Sequence, residues 1–292
     1  MRACALATTL ALLATTALAA APTGDPVERG RYLANAAGCI TCHTGEADGA
    51  SPFAGGRPLE SDFGTFYGPN ITPDADFGIG RWTEADFLHA LREGRGPTGK
   101  AYFPAFPFTS YTGITDEDAR AIFAYLRTVP ASRQASREHE LPWYLKPRMG
   151  AWFWQRMFFT AGAFTADPAK SPEWNRGAYL VRHLGHCGEC HTPRGRLGGL
   201  VRDQELAGNP AGPEGRKIPN ITPHEQDGIG EWSAGEIETF LEIGMLPDGD
   251  FAGAGMGEVI DENTSKLAAE DRRAIATYLL SVPPLQGAAA KK

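Results

Sequence analysis

Residues 187–194 read Cys-Gly-Glu-Cys-His-Thr-Pro-Arg, and residues 39–43 read Cys-Ile-Thr-Cys-His. The shared element is Cys-x-x-Cys-His. Two thiols three positions apart lie on one turn of a helix, and the histidine follows the second directly. Thiols so placed can each add to a vinyl group of one haem, and the neighbouring imidazole then meets the iron. A redox disulfide uses the same Cys-x-x-Cys spacing but sits in β-α-β surroundings, and no strand pattern surrounds either pair. One zinc shared by both pairs would require distant parts of the chain to converge, each pair lying in its own copy of a repeat. Two plain disulfides would leave the histidines without a purpose. The doubled motif predicts two covalently bound haem c groups, attached through Cys39, Cys42, Cys187 and Cys190, with His43 and His191 on the iron.

Outward from the motifs, the chain repeats itself. Gly30-Arg31-Tyr32-Leu33 matches Gly177-Ala178-Tyr179-Leu180, and Asn70-Ile71-Thr72-Pro73 matches Asn220-Ile221-Thr222-Pro223. Gly78-Ile79-Gly80-Arg81-Trp82 matches Gly228-Ile229-Gly230-Glu231-Trp232. Asp118 pairs with Asp271, and Tyr125-Leu126 with Tyr278-Leu279, the register drifting by a few residues along the way.

Each unit reads as all-α. Thr83 with Asp86 and Ser233 with Glu236 have capping-box spacing, and the helices they open run into Gly94 and Gly244. The last helix of each unit begins near Thr115 or Ala268. Its apolar positions, Ile122, Tyr125, Leu126, Val129 and Ile275, Tyr278, Leu279, Val282, follow helical periodicity, and Pro130 and Pro283 close it. No alternating strand pattern is visible.

Residues 1–19 read as a secretory signal peptide: Arg2, an apolar run to Leu18, and the small-x-small sequence Ala17-Leu18-Ala19. Cys4 leaves with it. No later stretch is long and apolar enough to span a bilayer. The predicted location is the periplasm. With 35 acidic against 28 basic residues the net charge is -7, and no Lys/Arg block stands out, which argues against nucleic acid as a partner. Aromatic residues at 10% exclude a disordered chain, and non-periodic glycine excludes collagen.

Both halves resemble class I cytochrome c domains, and the whole mature chain is similar to two-domain dihaem cytochromes c and to cytochrome subunits of periplasmic alcohol and aldehyde dehydrogenases. The segment Cys187 to Arg194 and the two Asn-Ile-Thr-Pro segments carry the resemblance. It implies a first domain over 20–130, a connector over 131–173 and a second domain over 174–292. The connector holds Trp143, Tyr144, Trp152, Phe153, Trp154, Phe158 and Phe159, read as a plug between the domains, with a haem lid or partner-docking patch as the alternative.

The resemblance also places a sixth iron ligand between the motif and the last helix. Met256, in the loop Gly253-Ala254-Gly255-Met256-Gly257, occupies that place for the second haem, and Met245 lies too early. Carrying the repeat back from Met256 reaches Phe106, which has no lone pair to offer. For the first haem the remaining candidates are Met149 or Met157 from the connector, Lys100, Tyr102 or Tyr111, His89 on a solvent face, or an open position. His183, His186, His139 and His224 read as surface or supporting residues. Pro193 is expected to offer its carbonyl to the His191 ring, and Arg194 to pair with a propionate; Thr44-Gly45 replaces them in the first unit.

The predicted function is a relay of single electrons from a donor, a dehydrogenase, to a respiratory acceptor. No catalytic side chain is required, and the chain reads as an electron-transfer protein or subunit rather than an enzyme in its own right. The alternative is a peroxidase-like dihaem enzyme with an open first site. A haem sensor is a weaker third reading, since no output domain is attached. The acidic charge predicts a basic or mixed docking patch on the partner.

Overall fold

A computed structural model describes residues 24–288, so the expected signal peptide and Cys4 lie outside the described residues. The chain is mainly helical, as the sequence predicts. In the first half, α1 (Pro26–Ala36) leads into a short α2 (Cys39–His43), then α3 (Glu84–Glu93), α4 (Phe108–Tyr111) and α5 (Asp116–Leu126). A connecting helix α6 (Arg148–Phe158) follows. In the second half the order recurs as α7 (Pro172–Tyr179), α8 (Gly188–His191), α9 (Ala234–Ile243), α10 (Ala254–Glu262) and α11 (Ala269–Leu279). Helix α7 starts at Pro172, two residues before the expected domain start at 174.

Both capping boxes form: Thr83 with Asp86 opens α3, and Ser233 with Glu236 opens α9. Both helices stop at glycines in the left-handed region, Gly94 at φ 61° and Gly244 at φ 77°. Helices α5 and α11 start directly after Thr115 and Ala268, near the expected positions. They end at Leu126 and Leu279, so Val129 and Val282 lie just beyond them.

In each half the first helix crosses the last at a glycine. A β-carbon on Gly30 would collide with the Ala121 carbonyl, and one on Gly177 with the Ala274 carbonyl. These crossings bring together one hydrophobic cluster that runs through both halves, including Leu33, Ile122, Leu126, Tyr179, Leu184, Ile275 and Leu279.

The halves are braced by a pair of reciprocal contacts. Tyr179 donates to Asp118 Oδ2 at 2.7 Å and accepts from the Thr115 N–H that starts α5. Tyr32 donates to Asp271 Oδ2 at 2.6 Å and accepts from the Ala268 N–H that starts α11. Each carboxylate also takes an arginine from its own half, Arg29 on Asp118 and Arg176 on Asp271. Each aspartate is buried, and its two oxygens are satisfied by an arginine and a tyrosine.

Two local features depart from the sequence reading. An antiparallel hairpin joins β1 (Pro58–Ser61) to β2 (Gly64–Tyr67) in the first half. Four residues per strand are too few for alternation to stand out. In the second half α7 continues into one π turn, Leu180–Leu184. The repeat gains one residue between Leu180 and Cys187 relative to Leu33 and Cys39, and the π turn absorbs it.

The connector is divided between two roles. On α6, Gln155 is buried and donates to the Gly94 and Tyr102 carbonyls, while Trp154 donates to the Leu197 carbonyl of the second half. Phe159 packs edge-on against Phe108. Trp143, Tyr144, Trp152 and Phe153 are exposed, so the same segment presents a large aromatic surface outward.

Candidate haem-attachment centres

The short helices α2 and α8 position the thiols. Cys39, Cys42, Cys187 and Cys190 are all free, so neither pair is a disulfide. Burial pushes Cys39 and Cys187 up to about 12 and Cys42 up to about 11; Cys190 is raised for the same reason. These are protonated thiols in apolar surroundings, the opposite of an activated redox cysteine. Among the described residues no group of three or more His, Cys, Asp or Glu side chains is arranged to hold a metal ion, which leaves the shared-zinc reading without support.

The histidines are held alike. His43 Nδ1 lies 2.7 Å from the Pro69 carbonyl, and His191 Nδ1 lies 2.8 Å from the Pro219 carbonyl. A carbonyl can only accept, so Nδ1 carries the proton and Nε2 keeps its lone pair. Burial lowers both histidine pKa values, which keeps the rings neutral. A half-buried neutral imidazole with a free Nε2, beside two half-buried thiols on one turn, fits haem c, and the geometry is the same in both halves.

This corrects the expectation for Pro193, whose carbonyl instead accepts from Val201 N–H. The carbonyl that orients each ring comes from the proline directly before Asn-Ile-Thr-Pro, so the supporting groups of the two sites match rather than differ. The four-residue motif explains how that proline is held. Asn70 Oδ1 accepts from Thr72 N–H and hydroxyl, and its amide donates to the Ser132 and Gln134 carbonyls. Asn220 accepts from the same groups of Thr222 and donates to the Leu285 carbonyl. The motif ties the loop to the chain that follows the last helix of its half. A repeated Pro-Asn-Ile-Thr-Pro was visible in the sequence and would have pointed to Pro69 and Pro219.

Arg194 is engaged by protein groups: it donates to Glu189 Oε2 at 2.5 Å and to the Gly198 carbonyl at 2.8 Å. Thr109 and Ser110 of the first half donate to the other oxygen of the same carboxylate. A second clasp runs the opposite way, with Arg57 donating to both Glu258 oxygens at 2.8 and 2.9 Å. The other half thus reaches each attachment helix, through Thr109 and Ser110 at Glu189 of α8 and through Asn263 at Thr41 of α2.

Met256 lies in the first turn of α10 rather than in a loop, half-buried against the shared hydrophobic cluster. Met245 is exposed. In the first half Phe106 sits between Tyr102 and Tyr111, with ring centroids 5.7 and 5.5 Å away. The alternative ligands turn elsewhere. Met149 is 67% exposed and Met157 63%, both on the outer face of α6. His89 is exposed as expected and pairs with Glu93, and Lys100 is exposed. The Tyr111 hydroxyl donates to the Ala37 carbonyl, and burial pushes Tyr102 up to about 12. Of the two readings for His183 and His186, surface or supporting, the contacts favour the second: His183 Nδ1 meets the Ser110 carbonyl, and the His186 ring packs against Tyr111.

Comparison with known proteins fits this geometry. The family model "Cytochrome c" matches residues 27–130. A "Diheme cytochrome c-type" protein of Cereibacter sphaeroides is 44% identical over 90% of this chain and 88% of its own length. The chain belongs to the dihaem c-type cytochromes. Accordingly it carries two covalently bound haem c groups. It is also 37% identical to the gluconate 2-dehydrogenase cytochrome c subunit of Pantoea cypripedii, over 95% of this chain and 64% of that protein. The alcohol dehydrogenase (quinone) cytochrome c subunit of Komagataeibacter europaeus is 38% identical, over 96% and 61%. The cytochrome thus spans less than two thirds of the length of these two dehydrogenase subunits. Among its described residues no helix is long and apolar enough to cross a membrane.

Proposed function

We propose that this cytochrome is an exported relay of single electrons, reduced by a periplasmic dehydrogenase and oxidised by a respiratory acceptor. The chain is divided into two class I units, 20–130 and 174–292, joined by the connector 131–173. Cys39 and Cys42 attach the first haem and Cys187 and Cys190 the second. Haem c supplies a one-electron iron couple when bound. The protein supplies the rest. His43 and His191 present Nε2, with the Pro69 and Pro219 carbonyls fixing the tautomer. Met256 offers its thioether to the second iron and favours the reduced state there.

The observation that carries the proposal is the matched pair of centres on helices clasped by opposite halves, an arrangement suited to passing electrons through the molecule. The exposed aromatic face of α6 is the surface offered to a redox partner. Similarity to cytochrome subunits of gluconate and alcohol dehydrogenases supports a dehydrogenase as the donor.

Phe106 favours a second reading for the first site, a peroxidase-like open position. Anaerobic redox titration with a peroxide assay separates the two. The relay takes up two electrons in two one-electron steps and does not turn over hydrogen peroxide; sustained peroxide reduction at the expense of an electron donor would establish the enzyme instead.

A further inference from the structure

The place where the two attachment helices approach each other is not symmetrical. The residue before the first thiol has a positive φ in both halves: Gly38 at 64° and His186 at 40°. Glycine adopts this conformation freely, whereas a residue with a β-carbon is strained in it. The π turn Leu180–Leu184, with the one-residue insertion it absorbs, leads directly into His186. A strained histidine therefore stands where the first half shows that glycine suffices.

The surroundings explain what the ring contributes. His186 meets the Tyr111 ring edge-on at 5.4 Å with an interplanar angle of 74°. Tyr111 is buried, its hydroxyl donates to the Ala37 carbonyl at 2.5 Å, and its ring touches Phe106 at 5.5 Å. Ala37 lies two residues before Cys39, and His186 directly precedes Cys187. The edge-on ring pair and the Tyr111–Ala37 hydrogen bond therefore join the backbones that carry the first thiols of the two motifs. Burial lowers the His186 pKa and raises that of Tyr111 well above its usual value, so both rings are neutral. At the matching place a β-carbon on Gly38 would meet the Asn263 side-chain amide, which Thr41 also reaches.

We infer that Tyr111 and His186 form the bridge by which an electron crosses between the two haem centres, and that the strain at His186 is retained to place its ring there. The inference rests on the relay reading. In the step one centre is oxidised and the other reduced by one electron. No bond is made or broken and no proton moves.

The test uses the holo-protein with one electron injected by flash photolysis, following equilibration between the two haems. His186→Gly and Tyr111→Leu should each slow equilibration roughly tenfold, a barrier increase of ~1.4 kcal/mol. Tyr111→Phe keeps the ring, folds as the wild type does and is slowed by loss of the Ala37 link. Asn263→Ala, beside Gly38, leaves the rate unchanged. His186→Gly should also keep both haems and their potentials, and melt no lower than the wild type, because the strain is relieved. Wild-type rates in His186→Gly and in both Tyr111 variants would overturn the bridge. A wild type that does not equilibrate at all would overturn the relay reading instead.

Discussion

In the first half, Arg29 places both its contacts on a single oxygen of Asp118, and Tyr179 reaches across to the other. In the second half, Arg176 forks across both oxygens of Asp271, and Tyr32 adds a third bond. The plan is the same and so are the capping boxes, the glycine crossings and the carbonyls behind His43 and His191. The halves part at the place proposed for the sixth iron ligand, Phe106 against Met256, and at the junction, Gly38 against His186. What the fold needs is duplicated, and what sets the behaviour of each iron is not. A relay gains direction from such a pairing, since two identical centres would give an electron no preferred resting place.

The largest expected effect removes one side of the comparison. Cys187→Ala with Cys190→Ala should leave one covalent haem by mass spectrometry and take the core of the second half with it. Cys39→Ala with Cys42→Ala should do the same to the first.

Next come the braces. Asp271→Ala strands the Arg176 guanidinium, which is 3% exposed, and should cost about 3–5 kcal/mol in denaturant unfolding. Asp118→Ala strands Arg29, which is 19% exposed and can reach water, and should cost less, about 1–3 kcal/mol. Equal losses would mean that the difference in burial and fork geometry has no energetic consequence.

The Asn-Ile-Thr-Pro tethers should rank below the Asp271 brace. Asn70→Ala gives up two carbonyl contacts, at Ser132 and Gln134, and should cost about 1–3 kcal/mol. Asn220→Ala gives up the carbonyl bond at Leu285 and should lie at the low end of that range. Thermal melts of the two variants compare them directly.

The smallest effect on stability belongs to the surface. Trp152→Ser with Phe153→Ser, both exposed on α6, should change unfolding by no more than about 0.5 kcal/mol per site while raising the KM for the electron donor. An unchanged KM would remove this face from the docking surface.

Much of this was legible in the chain. Cys-x-x-Cys-His announces its chemistry because covalent attachment demands a fixed spacing, and the caps at Thr83 and Ser233 are local devices read from four residues. The Tyr32 and Tyr179 braces escaped notice because each partner lies in the other half. The same reason hid the clasps at Glu189 and Glu258: a single sequence shows neighbours along the chain, not across an interface. The ring-orienting carbonyl was sought at Pro193, beside the motif, when the chain returns it from Pro69 and Pro219. The α6 aromatics read as one cluster, whereas the helix turns Trp154 inward and Trp152 and Phe153 outward.

The most direct test of the central claim, that two like-built centres hold unlike irons, is near-infrared magnetic circular dichroism of the oxidised protein and of Met256→Ala. One methionine-ligated haem should be seen, its signal lost in Met256→Ala, while the other haem shows no methionine signature in either protein. Two methionine-ligated signals in the wild type, or one that survives Met256→Ala, would contradict it.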